Sequence, residues 1–486
     1  MAEIDQERIR QIVAQVVRSL REEGILPGPT TTAERPAPTA QPSPPRREGE
    51  DGVFDDVEAA IEAAEEAQRR LMELGIKKRA EIIEAMRKTA LEHSEELARM
   101  AVEETGMGRY EHKVLKNRNA ALYTPGIEDI VPQVQTGDDG MTLVERVPFG
   151  VINALCPSTN PTSTVINNGI CMIAAGNSIV FSPHPGAKNC TIRTMVLLNR
   201  AIVQAGGPPN LMVAIREPSL RIAKQIMEHP KIAVVVATGG AGVVRAALTS
   251  GKKAITAGPG NPVALVDETA DIPKAARDIT EGAFFDNNLL CIGEKSVLVL
   301  EGVADRLIDE MVNYGCYLLR GDEVRAVESL VIQNGHPARE FIGKDANLIL
   351  ERAGIRPGRD VKVIIFETHP EHPIVVEEFL MPVVPIVRVR DFDQAVKLAV
   401  RIEGGNRHTA IIHSKDIERI TRFAKEIQTT ILVVNGPSYA CAGVEGEGFV
   451  AMTISGPTGE GFTKPSTFTR ERRVVLVKGI SLNTLY

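Results

Sequence analysis

Apolar residues fall at helical spacing over residues 5 to 23, where Ile9, Ile12, Val13, Val16, Val17 and Leu20 form one stripe and Arg10, Gln11, Gln15, Arg18 and Ser19 the opposite face. Asp5 can cap the start of this helix and Gly24 its end. The pattern then stops. From Pro27 to Pro45, seven prolines are interspersed with Thr, Ala and Ser, a composition that favours extended backbone and cannot bury a core. A helix over 1–24 on a Pro-rich linker over 25–50 is therefore predicted. An isolated amphipathic helix of this length is marginal in water, so its stripe needs a partner: a second copy, its own globular body, or another protein.

The helical period returns near Val53 and continues past Gly75 and Gly106, which act as breaks, with room for two or three helices. Beyond residue 149 short apolar runs end in Gly/Pro loops and lead into helices: GVINALCPSTNP, NSIVFSPHPG and KIAVVVATGGAGVVRAAL. These read as strand-loop-helix units of a parallel α/β sheet. Ligands in such sheets sit where loops leave the carboxyl ends of the strands, so all three loops are candidate cofactor contacts. A second alternating set, from Pro262 to about Phe462, predicts a second α/β domain.

A length of 486 residues agrees with two or three packed domains. The formal charge of -7, without a long Lys/Arg run, argues against nucleic acid as a partner. The absence of Trp and an aromatic share of 4% argue against a stacking platform. Six cysteines occur without a C-x-x-C pair or a His-rich companion, so neither a disulfide framework nor a metal site is indicated. Arg8, Arg10 and Arg18 interrupt any signal-peptide core, and no eighteen apolar residues run together. The expectation is a cytoplasmic protein with no membrane partner.

Seven segments occur in the order of one enzyme family: CPSTNPTS, VFSPHPGAKN, ATGGAG, AITAGPGNPV, FDNNLLCIGEK, VEEFLMPVVP and GGNRHTAIIHS. From about residue 51 to its end the chain resembles the aldehyde dehydrogenase superfamily, and within it the CoA-acylating branch. It is most similar to the short-chain enzymes of bacterial microcompartments that degrade propanediol or ethanolamine, which carry an N-terminal helix and linker of this kind. The resemblance implies an α/β fold with two Rossmann-like domains, nucleotide-binding (51–134 and 149–261) and catalytic (262–464). It also implies a small β arm for homo-oligomerisation (135–148 and 465–486). NAD and coenzyme A are the implied cofactors, and a short aldehyde, propionaldehyde before acetaldehyde, the implied substrate. Residues 1–24 would address the enzyme to shell or core proteins of a microcompartment in the cytoplasm.

The same resemblance places Cys291 at the nucleophile position. The reaction needs sulfur: a thiolate adds to the aldehyde, the thiohemiacetal expels hydride, and the thioester stays reactive toward another thiol. Cys156, Cys171, Cys190, Cys316 and Cys441 read as inert buried hydrophobes. The family meets the developing oxyanion with the cysteine's backbone N–H and an Asn side chain. Counting puts Thr159 at that column and Asn160 one place later; we assign Asn160, with Thr159 as substitute and helix capping before Pro161 as the local alternative. Cofactor contacts implied are Pro157, Ser182, Pro183, His184, Thr238, Gly239, Gly240, Gly242 and Gly258, with Glu378 on the nicotinamide ribose and Phe379 near the ring. A G-G-x-G loop also makes tight turns without a ligand.

Two departures from the hydrolytic enzymes bear on subtype. Ser182 occupies the column of the Lys that grips the adenine ribose, and Thr256 that of the general-base Glu. Without that base, a bound thiol is the competent acyl acceptor. His408 is a candidate to take the proton of the incoming thiol, with a core or surface His as the alternative. The rival readings are a hydrolytic enzyme giving the free acid, an acyl-phosphate reductase on the same fold, and a non-catalytic microcompartment-associated protein.

Overall fold

The computed structural model describes residues 49–478, so the expected helix over 1–24, nearly all of the linker, and residues 479–486 lie outside it. Four helices, not two or three, open the described chain: Val57–Glu73, Gly75–Glu92, Ser94–Thr105 and Tyr110–Tyr123. The glycine breaks fall where expected, with Gly106 in the left-handed conformation that closes a helix. The additional break at His93–Ser94 has no glycine or proline to mark it.

Six strands form a first, all-parallel sheet in the order Val53–Phe54, Met212–Ile215, Ser178–Ser182, Val151–Leu155, Ile232–Thr238 and Lys253–Ala257. Their continuous runs, such as IAVVVA, are what strands covered on both faces require. Ile152, Ala154, Val234 and Val236 pack one face, and Val151, Leu155, Val235 and Ala237 the other. Seven further parallel strands form a second sheet: Cys316–Leu318, Val363–Glu367, Val383–Val389, Ser296–Leu300, Val263–Val266, Thr409–His413 and Ile431–Val434.

A third sheet is antiparallel, with Gly140–Pro148 paired to Gln133–Gly137 on one side and Thr469–Val477 on the other. Among the described residues no helix is long and apolar enough to cross a membrane. Nor, among them, is any group of three or more His, Cys, Asp and Glu side chains placed to hold a metal ion.

Candidate active site

In the first sheet the chain passes from the edge strand Val53–Phe54 to a central strand, Val151–Leu155, runs outward from there to one side, and resumes on the other side with Ile232–Thr238. The connections leaving these two strands diverge, which opens a crevice beyond their carboxyl ends. A cleft of about 370 Å³ lies there, lined by Pro157, Thr159, Asn160, Ser182, Pro183, His184, Thr238, Gly239, Gly240, Gly258, Glu378 and Cys291 among others. One wall is thus made by loops of the first sheet and the other by segments of the second.

Gly239 and Gly240 precede the helix Ala241–Leu248. A Cβ added at Gly240 would meet nothing within 4 Å, and one at Gly239 or Gly258 nothing nearer than 3.9 Å. None of the three has a positive φ. The protein's own packing and backbone therefore do not demand glycine at these positions. Bare backbone before a helix N-terminus is a place where an anionic group can approach closely. Gly242 differs from the expectation: it lies inside the helix and is not on the cleft wall, where Val243 stands instead.

Cys291 follows a turn in which Asp286, Asn287 and Asn288 have φ of 52°, 57° and 58°. Such a left-handed run is tolerated best by Asp, Asn and Gly. Each member is anchored: Asp286 accepts from the Arg109 backbone N–H at 2.8 Å and from Lys113 Nζ at 3.2 Å, and also from Lys116 Nζ. Asn287 Nδ2 donates to the Gly343 carbonyl at 2.9 Å, and Asn288 Nδ2 to the Glu294 carbonyl at 2.9 Å. Burial opposes the charge of Asp286, yet Lys113 and Lys116 together hold its carboxyl below the usual range. Cys291 remains partly exposed to the cleft, whereas Cys156, Cys171, Cys190 and Cys316 are buried.

Burial, and then the nearby Glu378, push the Cys291 thiol up to about 12, with Lys295 acting in the opposite sense. Glu378 is the one carboxylate among the described residues lining the cleft. Burial pushes it up to about 7 against the pull of Lys295 and of the Gly260 N–H, which donates to Oε1 at 3.3 Å. Its neighbour Glu377 instead bonds His336 at 2.8 Å on the surface. Phe379 is corrected: successive side chains alternate, so Glu378 and Leu380 face the cleft while Phe379 packs in the core with Phe366 and Met381. Leu380 takes the place expected for Phe379.

Asn160 precedes the helix Pro161–Ala174, but its side chain makes no capping bond. Oδ1 accepts from Lys116 Nζ at 2.5 Å, and Nδ2 donates to Thr159 Oγ1 at 3.1 Å. The capping alternative is thereby removed. Thr256 is fully buried at the end of its strand with an unpartnered hydroxyl, and Ala257, Gly258 and Pro259 form the cleft wall there. His408 lies behind Gly260: a Cβ at Gly260 would come within 3.2 Å of the imidazole and 2.4 Å of the Cys291 carbonyl. Nδ1 of His408 is 2.8 Å from Thr409 Oγ1, and Nε2 is unpartnered. Burial, assisted by Lys295, brings this imidazole down to about 4, so it is neutral at pH 7.

Sequence reasoning did not single out Lys113, Lys116, Asp286 or Lys295. A signal for the first two existed. Lys113, Lys116, Asn117, Ala120 and Ala121 share one helical stripe, and all are buried. Lysines in the register of alanines mark an interior position with a polar task.

The sequence profile of the aldehyde dehydrogenase family matches residues 50–449. The chain is 46% identical to the CoA-propanoylating propanal dehydrogenase of Salmonella typhimurium over 89% of its own length and 93% of that protein's. A solved propionaldehyde dehydrogenase from the Clostridium phytofermentans fucose utilisation microcompartment shares 50% identity at a TM-score of 0.87. The match covers 89% of this chain and 100% of that one. Another, from Rhodopseudomonas palustris and holding bound CoA and an acylated cysteine, shares 47% identity at a TM-score of 0.86, covering 88% and 98%.

Proposed function

The chain belongs to the aldehyde dehydrogenase family, and from that premise we propose that it oxidises a short-chain aldehyde to acyl-CoA through a thioester on Cys291. Propionaldehyde is the first choice of substrate and acetaldehyde the second, as with the relatives' substrates. The carrying observation is that a partly exposed thiol faces a nucleotide-type cradle in a cleft whose one carboxylate is Glu378.

Sγ of Cys291 adds to the aldehyde carbon after losing its proton. The Cys291 N–H and Asn160 Nδ2, with Thr159 as alternative, stabilise the oxyanion. Thr238, Gly239, Gly240, Ser182, Pro183, His184, Pro157, Gly258 and Glu378 would hold NAD, which would supply a hydride acceptor at the re-forming carbonyl. The sulfur of coenzyme A then attacks the thioester, and Cys291 departs as thiolate. A neutral His408 with a free Nε2 suits the role of accepting the incoming thiol's proton. The test is coupled product analysis over aldehydes of two to six carbons: NADH and acyl-CoA are expected in equal amounts, best with three carbons. Free acid as the main product would overturn the reading.

Homo-oligomerisation through the third sheet is part of the proposal. The strands Gln133–Gly137 and Thr469–Val477 are both edges and expose Val134, Val475 and Val477, a surface that a second copy would cover. The amphipathic pattern of residues 1–24 and its Pro-rich tether support delivery into a microcompartment. Deleting residues 1–45 is expected to leave activity in solution within a few-fold of the full chain, because the proline-rich composition of that segment predicts a tether with no part in the globular core. Residues 1–24 fused to a fluorescent protein should give puncta in cells that make shells. Diffuse fluorescence, or collapse of activity on deletion, would favour docking of the helix on its own enzyme.

A further inference from the structure

The helix Tyr110–Tyr123 reaches both loops that supply the chemistry. Lys113 donates to Asp286 at 3.2 Å and to the Thr159 carbonyl at 3.1 Å. Lys116, next along the same face, contacts Asp286 and donates to Asn160 Oδ1 at 2.5 Å. Two ammonium groups thus share one carboxylate, with Lys113 2% and Lys116 4% exposed. Burying such an ionic cluster is a poor route to stability, since desolvation offsets most of the attraction and apolar residues of like volume do as well or better. Its position between the nucleophile's turn and the facing loop points to another use.

We propose that Lys116 is a positioning residue that fixes which end of the Asn160 amide faces the aldehyde oxygen; this rests on the reading of Asn160 as oxyanion donor. An amide offers an acceptor at one end and donors at the other, and a half-turn about its last bond exchanges them. An ammonium group has donors only, so Lys116 accepts no arrangement except Oδ1 toward itself. Nδ2 is thereby turned away, one N–H going to Thr159 Oγ1 at 3.1 Å and the second remaining for the cleft. Asp286 in turn ties Lys116 to the turn that carries Cys291, so nucleophile and donor keep a fixed relation.

The experiment is a double-mutant cycle in the full-length enzyme with Lys116→Gln and Asn160→Ala. Lys116→Gln leaves Lys113 paired one to one with Asp286, so no unmatched charge is buried. Asn160→Ala alone should lower kcat about 100-fold, and Lys116→Gln alone roughly 10- to 100-fold, the scale of a lost or misdirected oxyanion donor. In the Asn160→Ala background, Lys116→Gln should cost less than about twofold, because the amide it orients is gone. The Lys116 charge favours the Cys291 thiolate only weakly, after burial, Glu378 and Lys295, so alkylation of Cys291 by iodoacetamide should slow less than about twofold in Lys116→Gln and be unchanged in Asn160→Ala. If circular dichroism shows Lys116→Gln unfolded, Lys116→Met serves in the same cycle: it fills a similar volume with no donor to orient the amide and leaves Lys113 paired with Asp286, and the same coupling is expected. Losses that simply multiply, or alkylation slowed by Lys116→Gln as much as turnover is, would overturn the proposal and leave the reading of Asn160 intact. Wild-type kcat in Asn160→Ala would overturn both.

Discussion

Cys291→Ala is expected to yield a folded, NAD-binding protein that forms no acyl-enzyme and loses more than about 1,000-fold in turnover, the scale seen when a covalent nucleophile is removed. Folding should survive because the change deletes one atom from a partly exposed position at the margin of a cluster with Phe285, Leu290 and Tyr439. Mass spectrometry after incubation with aldehyde and NAD reads the result directly. Two other sulfurs make this a real test. Cys156 lines the same cleft, and Cys441 packs on the same cluster. Burial pushes the Cys156 thiol well above its ordinary value, and burial followed by the neighbouring Cys291 pushes Cys441 up to about 12. An acyl adduct on either, with Cys291 unmodified, would contradict the assignment.

The second large effect concerns the acyl acceptor. General-base catalysis supplies about 100- to 10,000-fold, and water needs such a base to attack a thioester at speed. Thr256, at the column of that base, is buried and offers no carboxylate, and the one carboxylate on the cleft wall, Glu378, has its place in cofactor binding under the proposed function. Coenzyme A carries a far better nucleophile toward thioesters and needs less help. Without coenzyme A, stopped-flow absorbance should show a burst near one NADH per active subunit, then a phase about 100-fold slower or more. Adding coenzyme A should restore fast turnover. Steady conversion to free acid, indifferent to coenzyme A, would return the hydrolytic reading to first place.

Which parts of this were legible in the sequence follows from how far each signal reaches along the chain. The glycine loop Thr238–Gly240 and the Pro157–Asn160 loop are local: each is a strand end and its turn, and the parallel sheet brings them together by a general rule of topology, whereas the Cys291 segment lies between the helix Ile272–Phe284 and the strand Ser296–Leu300 and was legible only through its motif. Phe379 failed because a one-residue choice decides which side chain of an extended segment faces the cleft, and composition favours neither Phe379 nor Leu380. The extra helix break at His93 carries no turn residue. The Lys116–Asp286 contact joins positions 170 residues apart and had no local mark beyond lysine in an alanine register. Asn160 was ambiguous for the opposite reason, since an Asn before Pro161 fits a helix cap as well as a catalytic donor. Its side chain bonds Lys116 and caps nothing, which sequence could not show.

The open space around Gly239, Gly240 and Gly258 separates two kinds of selection. Because no neighbour crowds those positions and no left-handed backbone is required, a side chain there is compatible with folding. Solubility, expression and melting temperature are consequently blind to these three positions, whereas the same measures respond at Gly282, where a Cβ would fall 1.9 Å from Glu294. A library of variants sorted by stability alone would therefore fill the proposed cofactor cradle with side chains unopposed and, under the proposed function, return a robust collection of folded proteins that have lost their oxidant.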